Sequence, residues 1–154
     1  MFDLNDKIAI VTGASQGIGK AIALKLSKIG AFVYCISRNK KAIDSVVDAI
    51  KKNGGKSDSY ACNISDSDNF KKIVKKIINK HSKIDILVNN AGITDDAILM
   101  RMSNEQWDHV IDTNLKGAFN CIKSVVRHMM KNKYGRIINI TSIVGLTGNA
   151  GQAN

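Results

Sequence analysis

Lys7-Ile8-Ala9-Ile10-Val11-Thr12-Gly13-Ala14-Ser15-Gln16-Gly17-Ile18-Gly19-Lys20-Ala21-Ile22-Ala23 is the stretch whose reading decides the fold. An apolar, β-rich run leads into three glycines spaced G-x-x-x-G-x-G, and apolar residues at helical spacing follow. Glycines let a chain turn sharply and bring its backbone against a ligand with no Cβ in the way. The free N–H groups and the dipole at a helix start favour negative charge. Gly13, Ser15, Gln16, Gly17, Ile18 and Gly19 are therefore candidates to hold a pyrophosphate, and a tight turn without a ligand is the alternative.

Outward from that turn, β-rich runs at Lys7–Thr12, Ala31–Ser37, Ser57–Cys62, Ile84–Asn89 and Arg136–Thr141 alternate with amphipathic segments. Helices are predicted over Gly17–Ile29, Lys40–Lys52, Asp66–Lys80 and one long stretch from Asn104 to Lys131. Ile73, Ile77 and Ile78 mark the apolar face of the third. Gly30 and Gly54-Gly55 stand where left-handed helix stops are favoured. Ser65 with Asp68, and Ser103 with Gln106, have the spacing of N-terminal capping boxes. Five strands separated by helices predict one α/β domain over residues 1–154, a doubly wound parallel sheet of Rossmann type with right-handed crossovers. A dinucleotide fits that arrangement.

Composition is that of an ordinary globular chain: 154 residues, 44% hydrophobic, net charge +10. No signal peptide and no run of ~20 apolar residues is present, so a cytoplasmic protein that does not cross a membrane is expected. Cys35, Cys62 and Cys121 have no paired or ligand-like spacing, and His81, His109 and His128 form no cluster. Buried reduced thiols and no metal site are expected. The lysines are scattered along predicted helices without interleaved aromatics, which argues against a nucleic-acid partner.

The second strand ends at Ser37-Arg38, about twenty residues past the glycine turn, where a carboxylate on the ribose 2′-hydroxyl marks NAD specificity. A cation there meets a 2′-phosphate instead, so NADP is the expected cofactor. An exposed arginine opening a helix is the alternative.

The spacing of the glycines, together with Asn89-Asn90-Ala91-Gly92, Asp112-Thr113-Asn114-Leu115 and Ile140-Thr141-Ser142 in that order, resembles the short-chain dehydrogenase/reductase family. The resemblance spans essentially the whole chain and implies strand order 3-2-1-4-5. It also implies cofactor contacts from Asn63 and Ile64 near the adenine and from Asn90, Ala91 and Gly92. Two positions depart from the pattern. Gln16 is neutral where NADP-dependent relatives often carry arginine, and Asn63 stands where many carry aspartate.

In the family a serine hydrogen-bonds the substrate carbonyl, a tyrosine donates the proton, a lysine lowers the tyrosine pKa and an asparagine positions a relay water. Ser142 and Asn114 match the first and last of these. A strand-end hydrogen bond for Ser142 and an internally satisfied amide for Asn114 are the alternatives. The tyrosine is implied thirteen residues after Ser142, one position beyond Asn154. The chain as given is therefore expected to lack the Y-x-x-x-K pair and the C-terminal strands and helices, and to be inactive alone.

Asn90–Asp96, Leu99–Met102 and the closing Gly145–Asn154 string look like the 3-oxoacyl-acyl-carrier-protein reductases, with acetoacetyl-CoA reductases close behind. That resemblance implies NADPH-dependent reduction of a 3-oxoacyl thioester in fatty-acid synthesis, an acyl-carrier protein as partner and a homotetramer. Lys131, Lys133 and Arg136 are candidates for a basic rim facing an acidic carrier. A non-catalytic NADP-binding protein stands as the competing reading.

Overall fold

Every residue of β1 (Ile8–Thr12) is buried, as a strand at the centre of a two-sided sheet requires. In the computed structural model, which describes residues 3–154, β1 pairs in parallel with β2 (Phe32–Ser37) and with β4 (Ile86–Asn89). Outside these lie β3 (Lys56–Ala61) and β5 (Arg136–Asn139), giving a wholly parallel sheet ordered β3-β2-β1-β4-β5, as expected.

Alternation along the strands divides the core. Ile10, Tyr34, Ile36 and Leu87 meet Phe70, Ile73 and Ile77 of α3 (Ser67–His81) and Cys121, Val125 and Met129 of α5 (Gly117–Lys131). Val11, Val33, Cys35 and Val88 face α2 (Lys40–Lys52), through Ile43, Val46 and Ile50, and α1 (Gly17–Lys28), through Ala23. Helices on both faces leave the carboxyl ends of the strands open.

The glycine stops form as expected. Gly54 and Gly55 donate to Lys51 O and Ile50 O, and Gly30 and Ala31 to Ser27 O and Leu26 O, with Gly30 and Gly54 at φ +103 and +77. Both are Schellman ends. The Ser103–Gln106 capping box is present at the start of α4 (Asn104–Val110).

Two expectations are corrected. Asp66, not Ser65, caps α3 and accepts from Asn69 N. The Ser65 hydroxyl donates instead to Asp112 O at 3.2 Å. Nor is Asn104–Lys131 one regular helix, because Ile111–Lys116 between α4 and α5 is π-wound and Gly117 N donates to Asp112 O. The Ser65 hydroxyl bonds that same carbonyl, a side chain inserted into the helical ladder. A Cβ on Gly117 would lie 2.6 Å from Ile64 Cδ1, so the chain passes the β3–α3 connection at the closest approach a glycine permits. A 3-10 turn at Leu99–Arg101 and a short α6 (Val144–Thr147) follow no periodicity in the sequence. All four residues of β5 are exposed. No described helix is long and apolar enough to cross a membrane.

Candidate functional site

A cleft of about 490 Å³ opens at the carboxyl ends of β1, β2 and β4 and beyond β3. The chain crosses over to opposite faces of the sheet on the two sides of β1, which makes this the topological switch point. The cleft gathers residues far apart in sequence: the glycine turn, Ser37-Arg38, Asn63-Ile64 and Asn90-Ala91-Gly92.

The turn is held by a latch between β1 and β4. The Thr12 hydroxyl, fully buried, donates to Val88 O at 3.3 Å and accepts from Asn90 N and Ala91 N at 3.0 and 3.1 Å. The Asn90 amide donates to Thr12 O and Gly13 O at 3.0 and 3.3 Å. Little room is left around the flanking glycines. A Cβ on Gly13 would lie 2.8 Å from Ala91 Cα, and one on Gly19 would strike Gly13 O and Asn90 Nδ2. Gly17 adopts φ +54, left-handed like Gly13 at φ +65, but has nothing within 4 Å of its would-be Cβ. Gly19 is thus glycine because protein crowds it, Gly17 because its left-handed backbone faces the open cleft, and Gly13 for both reasons, being crowded and at φ +65.

Arg38 is the one charged side chain among the described residues that line the cleft. Beside it Ser37 Oγ accepts from Asn39 N at 3.2 Å, and Asn39 Oδ1 caps α2 by accepting from Ala42 N at 3.0 Å. At the β3 end, Asn63 Oδ1 accepts from Ser65 N at 3.2 Å, which leaves its amide nitrogen and one oxygen lone pair for a ligand. Ile36, Asn39, Ala42, Cys62, Ile93 and Thr113 also line the cleft and were not anticipated. Most of them adjoin an anticipated residue, so the signal lay in neighbourhood, not in any motif position. Cys62 is buried in this wall, and burial pushes its thiol up to about 11.

Gly19, Asn114 and Ser142 do not line the cleft: Gly19 lies beneath the turn. Asn114 sits in the π-wound segment and is exposed. Its Oδ1 accepts from Ile93 N and its Nδ2 donates to Ile93 O, both at 2.9 Å, so it pins the loop leaving Gly92. Ser142 is exposed beyond β5, and its Oγ accepts from Val144 N at 3.3 Å, leaving its O–H free to donate. Farther along, Gln152 donates to both Asp96 oxygens at 3.0 and 3.1 Å and Gly151 O accepts from Ala97 N at 2.8 Å. The closing string is thereby tied to the loop after β4. Among the described residues no group of three His, Cys, Asp or Glu could hold a metal.

Residues 7–154 match the family model described as short chain dehydrogenase. The 3-oxoacyl-acyl-carrier-protein reductase FabG of Thermotoga maritima is 46% identical over 151 residues, 98% of this chain and 61% of that protein. That of Staphylococcus epidermidis is 49% identical over 97% of this chain and 62% of its own length. The 3-oxoacyl-acyl-carrier-protein reductase of Synechocystis is 48% identical, covering 100% and 63%. The chain thus spans about three fifths of the length of these curated relatives. A metagenomic short-chain oxidoreductase solved in complex with NADP superposes with a TM-score of 0.94 at 37% identity, over 97% of this chain and 68% of that one.

Proposed function

The chain belongs to the short-chain dehydrogenase family, and from that premise we propose that its cleft holds NADP and that the protein is an oxidoreductase reducing 3-oxoacyl thioesters borne on an acyl-carrier protein. One observation carries the cofactor: among the described residues that line the cleft, Arg38 is the one charged residue and none is a carboxylate. A carboxylate there would repel a 2′-phosphate, whereas a guanidinium meets one with two charge-assisted hydrogen bonds.

The residues fit a dinucleotide. Gly17 leaves the turn open where a pyrophosphate needs backbone N–H groups, and the Thr12–Asn90 latch fixes the turn against β4 before any ligand arrives. Asn63 and Ile64 wall the far end for the adenine, and Asn90 to Gly92 wall the near one. When bound, the nicotinamide supplies the hydride. The chain's own contribution toward the reaction is Ser142, whose free O–H can donate to a substrate carbonyl oxygen. Asn114 acts as a positioning residue, holding Ile93 against the cleft and, in the family's manner, a relay water. The reductases named for Thermotoga, Staphylococcus and Synechocystis support the thioester substrate and its carrier.

The test is Arg38→Asp in the protein made from its native gene, with NADPH and NADH affinities measured by nicotinamide fluorescence. Loss of a charge-assisted pair predicts a fall in the NADPH/NADH affinity ratio of about 10- to 100-fold. An unchanged ratio removes the assignment. Reduction of acetoacetyl groups on carrier protein and on coenzyme A, compared by kcat/KM, tests the substrate, and a preference for the coenzyme A thioester overturns the carrier.

A further inference from the structure

We propose that the groove between α3 and α5 docks an acidic amphipathic helix of a partner protein. This cleft, about 420 Å³, shares no lining residue with the dinucleotide cleft. Its floor is apolar, from Val74 and Ile78, and its rim is Lys71, Lys75, Ser124 and His128.

Charge is concentrated on this face. α3 carries five lysines against one acid and α5 three cations against none, so seven of the ten net positive charges lie on this helix pair. Lys71 has Asp68 at 3.2 Å and Lys80 has Asp58 at 3.6 Å. Among the described residues, Lys72, Lys75, Lys76, Lys123, Arg127 and Lys131 have no carboxylate within 4.0 Å. Lys71 with Lys75, and Lys72 with Lys76, stand one helical turn apart on an exposed surface, an arrangement that costs an isolated helix a few tenths of a kcal/mol per pair. Helix stability therefore does not explain the pattern, and an anionic counterpart does.

Three observations choose among anions. Among the described residues that line the groove none is Phe, Tyr or Trp and the one ring is His128, while lysines outnumber arginine seven to one on the two helices, which is poor material for stacking successive bases or for forked phosphate recognition. The exposed large apolar side chains on the two helices are Phe119 and Met130 of α5, and neither lines the groove, so a bilayer would find nothing to insert from it. A recessed apolar floor between lysines one turn apart matches a helix whose carboxylates recur every turn beside an apolar stripe. The occupant is a protein helix.

The test uses a fluorescein-labelled synthetic helix with glutamates at i and i+4 flanking a leucine stripe, titrated by anisotropy with the protein from its native gene. A scrambled peptide of equal composition, duplex DNA and phosphatidylglycerol vesicles are run beside it. The helix is expected to bind more tightly than its scramble, to weaken with salt, and to lose about tenfold in affinity with Lys71→Glu/Lys75→Glu. If the charge reversal does not fold, as judged by circular dichroism, Lys71→Gln/Lys75→Gln replaces it with an expected loss of about threefold. Equal affinity for the scrambled peptide, unchanged binding by the folded variant, or tighter binding of DNA or vesicles each overturns the proposal. NADPH affinity of the same variants separates this outcome from any failure of the cofactor reading.

Discussion

Replacing Thr12 with valine tests whether the glycine turn is held from below. Valine keeps the shape of threonine and exchanges one hydroxyl for a methyl, so no cavity forms. Three hydrogen bonds vanish: the one donated to Val88 O and the two accepted from Asn90 N and Ala91 N. A buried amide facing a methyl costs about 1–3 kcal/mol. Asn90 and Ala91 are only half-buried, so water recovers part of that, and the loss for the pair is about 2–3 kcal/mol. At ~2–4 °C per kcal/mol for a chain of this size, Tm falls by roughly 5–10 °C. Thr12→Ser keeps the hydroxyl and loses a buried methyl, about 1 kcal/mol. The assay is thermal unfolding with and without saturating NADPH, together with an NADPH titration near room temperature. Valine is expected to weaken the cofactor more than serine does, because the Asn90 backbone and Gly13 are then free to drift. A valine variant melting within about 1 °C of the parent, or a serine variant no better than the valine one, would show that the latch does not hold the turn.

Gly17 and Gly19 of the turn should fail differently. Gly19→Ala drives a Cβ into Gly13 O and Asn90 Nδ2 and should lower stability by about 1–3 kcal/mol in urea unfolding, while Gly17→Ala meets no neighbour and should cost about 1 kcal/mol of backbone strain yet lose NADPH affinity. Equal unfolding midpoints for the two would contradict this account. His81, bonded to the Tyr34 hydroxyl at 2.8 Å, is held below its usual range by burial and then by Lys80 and Lys83. The unfolded chain therefore binds the more protons as pH falls below ~6.5, and stability should drop with it. His81→Gln should flatten that slope between pH 7.5 and 5.5, and an identical slope would assign it to other groups. The three cysteines are buried, with Cys35 and Cys62 pushed up to about 11 and Cys121 higher still, all chiefly by burial. A thiol reagent such as DTNB should be silent with the native protein at neutral pH and read all three thiols in denaturant, and a fast native reaction at Cys62 would show that the cleft wall opens.

The sheet was legible because its signals are local. Buried strands such as Ile8–Thr12 announce themselves as short β-branched runs, and the helices by their apolar spacing. Glycine stops at Gly30 and Gly54 require only a left-handed residue at the right place. In the cleft, the glycine turn and Ser37-Arg38 were legible from spacing along the chain, whereas Asn63, Ile64 and Asn90 to Gly92 were named through the family resemblance; they share one wall because the segments that follow the carboxyl ends of parallel strands converge. Arg38 lies in that wall because it directly follows β2.

What escaped the sequence depends on contacts across long separations. Thr12 reads as a strand residue until Asn90, 78 positions away, is seen donating to its hydroxyl. Ser65 carries a capping pattern, yet its hydroxyl is engaged by Asp112, 47 residues on, and the cap passes to Asp66. The same contact, with Gly117 pressed on Ile64, accompanies the π turn in what reads as one regular helix. That turn contains Asn114, whose amide is committed to both backbone groups of Ile93 on the cleft wall. A single hydroxyl thus joins the β3–α3 connection to the segment that pins the loop after Gly92. The π winding and the placement of Asn114 therefore stand or fall together, because a regular α turn through residues 111–116 would rotate Asn114 away from Ile93.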